Sequence, residues 1–368
     1  MSPRYKVTMP RMGTASLALK TFLTELGFDV VLPPPITRET LALGGRYTPE
    51  FACLPLKVNL GNYLQTLPQA PDAIFMAGGI GPCRFGLYGE VQREILKSLG
   101  YDIPLIVFEP PKKHAFELID CFTRFLGHRF WLNLPGAARI TWEKFTAIDR
   151  VDKAVLARSA LLDQENRKTL WKQRKAFLQR LDGLMDLGGI RRLVKETEEG
   201  ILMLSPEAER PSLRVMLVGE IYVVLEPGIN FDLEKNLAML GVEVHRTIYF
   251  SEWIWQQLFL NFLRIDWQRQ LRQEARPYLR RFVGGHGLET VAHTVQAARE
   301  GYDGVVQLAP LGCMPEVVAM SIIQRVSREQ KIPVLSILLD EHSAGTGVQT
   351  RLEAFVDLLQ NKRIKAAI

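Results

Sequence analysis

Three of the four cysteines stand in the same local context. Cys83 lies in AGGIGPCRFG, between a buried-strand pattern and a helical one. Cys313 lies in APLGCMPEVV in the equivalent place, and Cys53 in PEFACLPLKVNLGNYL precedes another helical pattern. All three are expected at or near helix N-termini, at the C-terminal ends of strands, and there backbone N–H groups and the helix dipole favour thiolate over thiol. In open α/β sheets the same edge is where ligands bind. A thiolate in that position binds a metal or attacks an electrophile. Cys121, in HAFELIDCFTRFLG, has no glycine or strand end beside it and reads as a core residue.

The residues around the cysteines extend this reading. Gly78, Gly79, Gly81 and Gly312 let the backbone approach a bulky inorganic core and offer N–H groups to it. Glu341 and His342 follow a predicted strand, a place suited to acid/base chemistry or to a further ligand. Glu50, Glu90 and Glu316 lie near the cysteine motifs, and Glu316 also suits the positive end of the helix that follows Cys313. Lys57, Arg84 and Arg351 supply positive charge, and GGHGLE (284–289) is a glycine-rich helix start able to hold a phosphate or to serve as a plain connector. The spacing alone leaves three chemistries open: a metal cluster bridging two parts of the fold, a zinc site, and a redox thiol pair.

Distant cysteines meet only if the fold brings them together, and the pattern along the chain supplies a way. Strand-like YKVTM, a helical stretch over 15–26, a stop at Gly27 and a second strand over 28–32 make a βαβ start. LRVMLV at 213–218, a helix over 232–240, Gly241 and a strand over 242–249 repeat that order. The unit from Asp72 through Cys83 to Ile103-Pro104 matches the unit from Asp303 through Cys313 to Ile332-Pro333, with 20 and 19 residues from Cys to Ile, and the closing strands end in acid at Glu109 and at Asp340-Glu341. The expected architecture is α/β: two similar doubly wound parallel-sheet domains, flavodoxin- or Rossmann-like, facing a cleft. Residues 1–140 form the first, 207–368 the second, and 141–206 a helical insertion or bridge.

Composition narrows the partners. The 368 residues carry 46 Lys and Arg against 40 Asp and Glu, a net charge of +6. Thirteen of the basic residues fall between Lys144 and Lys195 in helical sequence, where they read as solvated helix faces. No aromatic interleaving or motif points to nucleic acid. No apolar run reaches the roughly 20 residues that span a bilayer, and MSPRYKVTMPRMG lacks a secretory core. The expectation is a cytoplasmic protein that binds neither nucleic acid nor membrane.

The segments YTPEFACLPLKVNLGN, MAGGIGPCRFGLYGEVQREIL and GCMPEVVAMSII…IPVLSILLDEHSAGTGVQTRLEAFVDLL resemble the 2-hydroxyacyl-CoA dehydratase and benzoyl-CoA reductase component family, and within it the activase-related branch. The resemblance implies one [4Fe–4S] cluster held by Cys53, Cys83 and Cys313, with the fourth iron position open to water or substrate. It also implies electrons from a separate dimeric iron–sulfur ATPase, a homo- or heterodimer with a related subunit, and an acyl-CoA or other small substrate. GTASLALK lacks the glycine-rich phosphate loops of an actin-like ATPase, so this chain is not expected to be the ATP-hydrolysing activase. The resulting expectation is an iron–sulfur redox protein, a reductase or dehydratase-like component dependent on that ATPase. The alternatives are a non-catalytic cluster carrier or scaffold subunit, and a zinc or thiol protein without iron.

Overall fold

Runs such as AIFMA and GVVQLAP show no polar–apolar alternation, which is the pattern of strands covered on both faces. They become the buried strands β3 (Ala73–Ala77) and β7 (Gly304–Pro310) of two separate sheets. The computed structural model describes residues 5–79, 83–108, 122–209, 213–260, 263 and 265–367. The first sheet contains β1 (Lys6–Thr8), β2 (Asp29–Val31), β3 and β4 (Leu105–Phe108) in the order β2-β1-β3-β4. The second contains β5 (Leu213–Gly219), β6 (Val242–Arg246), β7 and β8 (Val334–Leu339) in the order β6-β5-β7-β8. Every pairing is parallel.

The two sheets therefore have one topology used twice, as the repeated strand–helix order predicts. Each enters on an inner strand, steps outward once, then returns past that strand to build the other side. The reversal creates a switch point between β1 and β3 and another between β5 and β7, where diverging connections leave room for a ligand. Cys83 follows β3 and Cys313 follows β7, so the matched cysteines occupy corresponding switch points.

Three helices, Arg129–Ser159, Gln164–Gly183 and Leu187–Leu202, lie between the two sheets in sequence. They share a core that includes Val151, Val155, Leu170, Phe177, Ile190 and Leu193. Asp163 and Asp186 cap the second and third by accepting N–H bonds from Asn166 and Gly189. The first helix begins against the first sheet, where Phe130 stacks on Phe122 beside Phe75. Many of the basic residues expected on solvated faces form surface pairs, such as Arg191 with Glu143 and Arg150 with Glu198. Lys144 does not: it is fully buried, donates to Thr21 Oγ1 at 2.8 Å, and is pushed down to about 8 by burial. No helix among the described residues is long and apolar enough to cross a membrane.

A buried ionic network ties the helical segment to the second sheet. Asp152 accepts from Arg174 Nε at 2.7 Å and from Arg246 Nη2 at 3.2 Å, and Arg246 also meets Glu234. With the carboxylate removed, Arg174 loses its buried partner and Arg246 keeps only Glu234, so two guanidinium groups share one carboxylate. Asp152→Asn is expected to cost about 3–5 kcal/mol of stability in chemical denaturation, and adding Arg246→Met to it should recover part of that loss.

Candidate metal centre at the domain seam

All three cysteines adopt extended backbone immediately before a helical turn. Cys53 caps Leu54–Thr66, Cys313 caps Met314–Gln330, and Cys83 precedes the 3₁₀ turn Arg84–Leu87. Pro55 and Pro315 sit in the first turn after two of them, where the missing N–H is harmless and the fixed φ starts the helix. Cys83 and Cys313 follow strand ends as expected, whereas Cys53 follows the helix Arg38–Tyr47, so its expected place at a strand end is corrected.

The two domains meet here by close backbone approach. Leu54 N–H donates to Leu311 O at 3.4 Å. Gly312 has φ +82°, and a Cβ there would lie 3.2 Å from Phe51 O and 3.4 Å from the Cys53 Cα. The Cys53 and Cys313 thiols, one from each domain, are hydrogen-bonded to each other. Cys83 is near enough for its charge to be felt with that of Cys53, and a Cβ on Gly285 would lie 3.9 Å from Cys83 Sγ. The hydroxyl of Tyr88, itself buried, is hydrogen-bonded to Cys53.

Burial dominates the electrostatics. The backbone N–H groups of Phe85 and Glu316 favour thiolate at Cys83 and Cys313, although neither side chain accepts a capping hydrogen bond. Burial of Cys83 outweighs them and pushes its pKa up; the Cys53 hydrogen bond and burial together do the same to Cys313. At Cys83 burial, and at Cys313 the Cys53 contact together with burial, outweigh the helix-start N–H groups that favour thiolate. In this seam desolvation is larger than the dipole.

Two groups not foreseen from the sequence, Tyr88 and Glu220, complete the surroundings together with His286 of the GGHGLE loop. Glu220 follows β5 at the second switch point, and its backbone N–H bonds Leu308 O at 3.0 Å. Gly219 before it has φ +139°, with Leu308 O only 2.0 Å from where a Cβ would be, so glycine is required to turn the carboxyl inward. Burial raises the pKa of Glu220, whose charge acts on Cys83, Cys313 and Tyr88. Glu316 is fully buried, accepts from Thr290 Oγ1 and Gln307 Nε2, and is pushed up to about 7 by burial. His286 acts on both carboxyls and stands 3.8 Å from Glu289, which also lines a cavity of about 650 Å³ reaching to His245 and Trp267. The signal for Glu220 was present as the acid ending LRVMLVGE, the same strand-end criterion that singled out Glu341.

The remaining candidates are distributed as follows. Glu341 pairs with Lys57 at 2.5 Å, and Lys57 also donates to Glu50 O. His342 is exposed, with its N–H on Asp340 Oδ1. Gly79 packs under the Cys83 turn, where a Cβ would lie 2.8 Å from Phe85; Gly81, Glu109 and Cys121 lie outside the described residues. Arg84 donates to Phe51 O, Arg351 to Ser336 O, and Glu90 pairs with Arg93 at the surface. The GGHGLE loop lies against Cys83 and Pro315 through Gly285. Among the described residues no group of three or more His, Cys, Asp or Glu is arranged to hold a metal ion.

The Lys57–Glu341 pair spans the two domains one turn beyond Cys53, with Lys57 only 3% exposed. Burial raises the Glu341 pKa, but the Lys57 bond leaves it below the usual carboxylate value. Its contribution is therefore complete above about pH 4.3 and is lost as pH falls through the lower folded value. Glu341→Gln is expected to cost about 3 kcal/mol, to abolish that acid-side pH dependence, and to speed iodoacetamide labelling of Cys53 and Cys313 at neutral pH in chelator-treated protein. Unchanged labelling would show that the pair does not hold the seam.

Residues 11–78 match the family model described as CoA enzyme activase uncharacterised domain (DUF2229), a span that includes Cys53 and Lys57 but ends before Cys83. No curated protein sequence matches the chain. At the level of the broad group, the match supports a relationship to activase-related proteins of the 2-hydroxyacyl-CoA dehydratase and benzoyl-CoA reductase type.

Proposed function

We propose that this chain is an iron–sulfur redox protein that holds one [4Fe–4S] cluster through Cys53, Cys83 and Cys313 and leaves the fourth iron position to a small ligand. The observation that carries this reading is that Cys53 and Cys313 share one buried cluster between the domains, with the partly buried Cys83 near enough to feel the Cys53 charge and with Cys83 and Cys313 at the matching switch points. A polynuclear cluster has irons spread over its corners, so its ligands need not converge on a point as those of a single ion must. The donor set suits it: three soft sulfurs, with glycine at the closest backbone approach. Such a cluster supplies one-electron chemistry at low potential.

The chain's own groups have defined tasks in this reading. The seam excludes water from the thiols. Tyr88 orients Cys53 through its hydroxyl. Glu220 and Glu316, held toward the neutral form by burial, keep negative charge from accumulating beside three sulfurs.

Electrons would come from a separate ATP-hydrolysing iron–sulfur partner and pass to a substrate in an acyl-CoA dehydratase- or reductase-like reaction. That the ATPase is a different chain is supported by the GTASLALK segment. The Gly13 N–H is bound to Glu226 Oε2 at 2.5 Å, and a Cβ on Gly13 would collide with Leu225 O. A carboxylate already occupies the place a phosphate would take. Anaerobically purified protein should contain about four irons and four sulfides per chain, with an EPR signal on reduction. Cys53→Ala, Cys83→Ala and Cys313→Ala should each lose most of the iron, and Cys121→Ala should keep it. Zinc in place of iron would refute the proposal.

A further inference from the structure

The cavity of about 650 Å³ that Glu289 borders has no part in the cluster reading, and its size suits a small organic ligand. It lies at β6, the edge strand of the second sheet. His245 on β6 is in register with Met216 on β5, so both side chains stand on one face of the sheet. Met216 shares a buried cluster with Ala297 of the helix Gly287–Arg299, so that helix covers this face. It packs chiefly on β5 and β7. Beside it, over β6, the cavity takes the place of a covering helix, with His245 and Met216 in its lining.

Among the described residues the lining has no free lysine or arginine. Lys153 is paired with Glu252, and Arg246 is held by Asp152 and Glu234 at 3.2 Å each. A phosphate or carboxylate would find no unspent positive charge here. Four acids also line the cavity, and three of them are balanced: Glu252 by Lys153, Glu274 by Arg299 and Glu243 by Arg214. Glu289 is the exception. Among the described residues it meets no lysine or arginine, only Gln268 Nε2 at 3.4 Å and His286 Nε2 at 3.8 Å, the second too far for a hydrogen bond.

One helical turn on, His293 brings a second acceptor to the same cavity. Gln296 donates through Nε2 to Glu300 at 2.8 Å, so its Oε1 faces His293 and accepts from the Nδ1–H at 3.1 Å. A proton on Nδ1 leaves the Nε2 lone pair, and no group among the described residues bonds to it. Burial lowers the His293 pKa, so the ring stays neutral and accepting. Glu289 and His293 stand at i and i+4 on one helix face, near enough to feel each other's charge.

We propose that this cavity binds an organic primary amine with an apolar body, its ammonium held between the Glu289 carboxylate and His293 Nε2. An ammonium brings three N–H donors and one positive charge, which match the spare carboxylate and the spare lone pair. The body lies against Leu156, Met216, Trp267 and Leu271, which supply apolar lining. This site is separate from the thiols and does not rest on the cluster reading. Its preference is opposite to that of a phosphate-bearing acyl-CoA.

The test is isothermal titration calorimetry on the full chain near neutral pH, with tryptamine and hexylamine as amines and indole-3-propionate as an acid of similar shape. Both amines are expected to bind and the acid is not. Glu289→Gln should weaken tryptamine binding about ten-fold or more, and His293→Phe, which keeps a ring without the lone pair, should weaken it too. Glu274→Gln removes an acid already balanced by Arg299 and should leave binding near wild type. The comparison of amine with acid uses the wild type alone, so it decides the matter even where a variant fails to fold. Failure of both amines, equal binding of the acid, equal losses in Glu289→Gln and Glu274→Gln, or displacement of tryptamine by coenzyme A overturns the proposal.

Discussion

The structure depends on a seam in which one domain completes the core of the other. Leu54 and Val58, on the helix after Cys53, belong to the same apolar cluster as Leu217, Leu308 and Leu339 of the second sheet. Lys57 lies between them in sequence and finds its carboxylate partner, Glu341, across the seam. A buried ammonium without that partner would bear an uncompensated desolvation cost, so the halves are held in one relative position. Tyr222 adds a bond from its hydroxyl to Arg11 O at 2.6 Å, and Glu226 accepts from Gly13. Cys53 and Cys313 meet because this seam is closed.

At the thiols the competition is between helix termini and dehydration. Each terminus offers N–H groups that favour negative charge, yet burial at Cys83, and the Cys53 contact followed by burial at Cys313, push both thiols toward the neutral form. The same burial raises the pKa of Glu220 and Glu316. The result is a group of acids, thiols and a phenol held toward their neutral forms.

Much of the scaffold was legible. Unbroken apolar runs, the glycine stops at Gly27 and Gly241, and the matched spacing after Cys83 and Cys313 pointed to two parallel-sheet halves, which the strand orders reproduce. These signals are local, set by periodicity and turn chemistry. The cysteines were legible for the same reason, since their position before helix starts is a local property. Glu220 was passed over because its inward turn depends on Gly219 fitting against Leu308, a contact across the sheet. Glu341 was singled out for chemistry because a strand-end acid looks alike whether it faces a ligand or a lysine from another domain.

The sequence by itself determined the elements: which residues form buried strands, where helices begin, and which cysteines stand just before a helical turn. It also carried the duplication, because equal spacing of like elements is a property of one dimension. Only the tertiary structure decided which groups share a space. Tyr88 on Cys53, Glu220 beside Cys83 and Cys313, and Lys57 on Glu341 are pairs from distant parts of the chain. Their protonation follows from how much water the closed seam excludes, a quantity that no residue's neighbours in sequence contain.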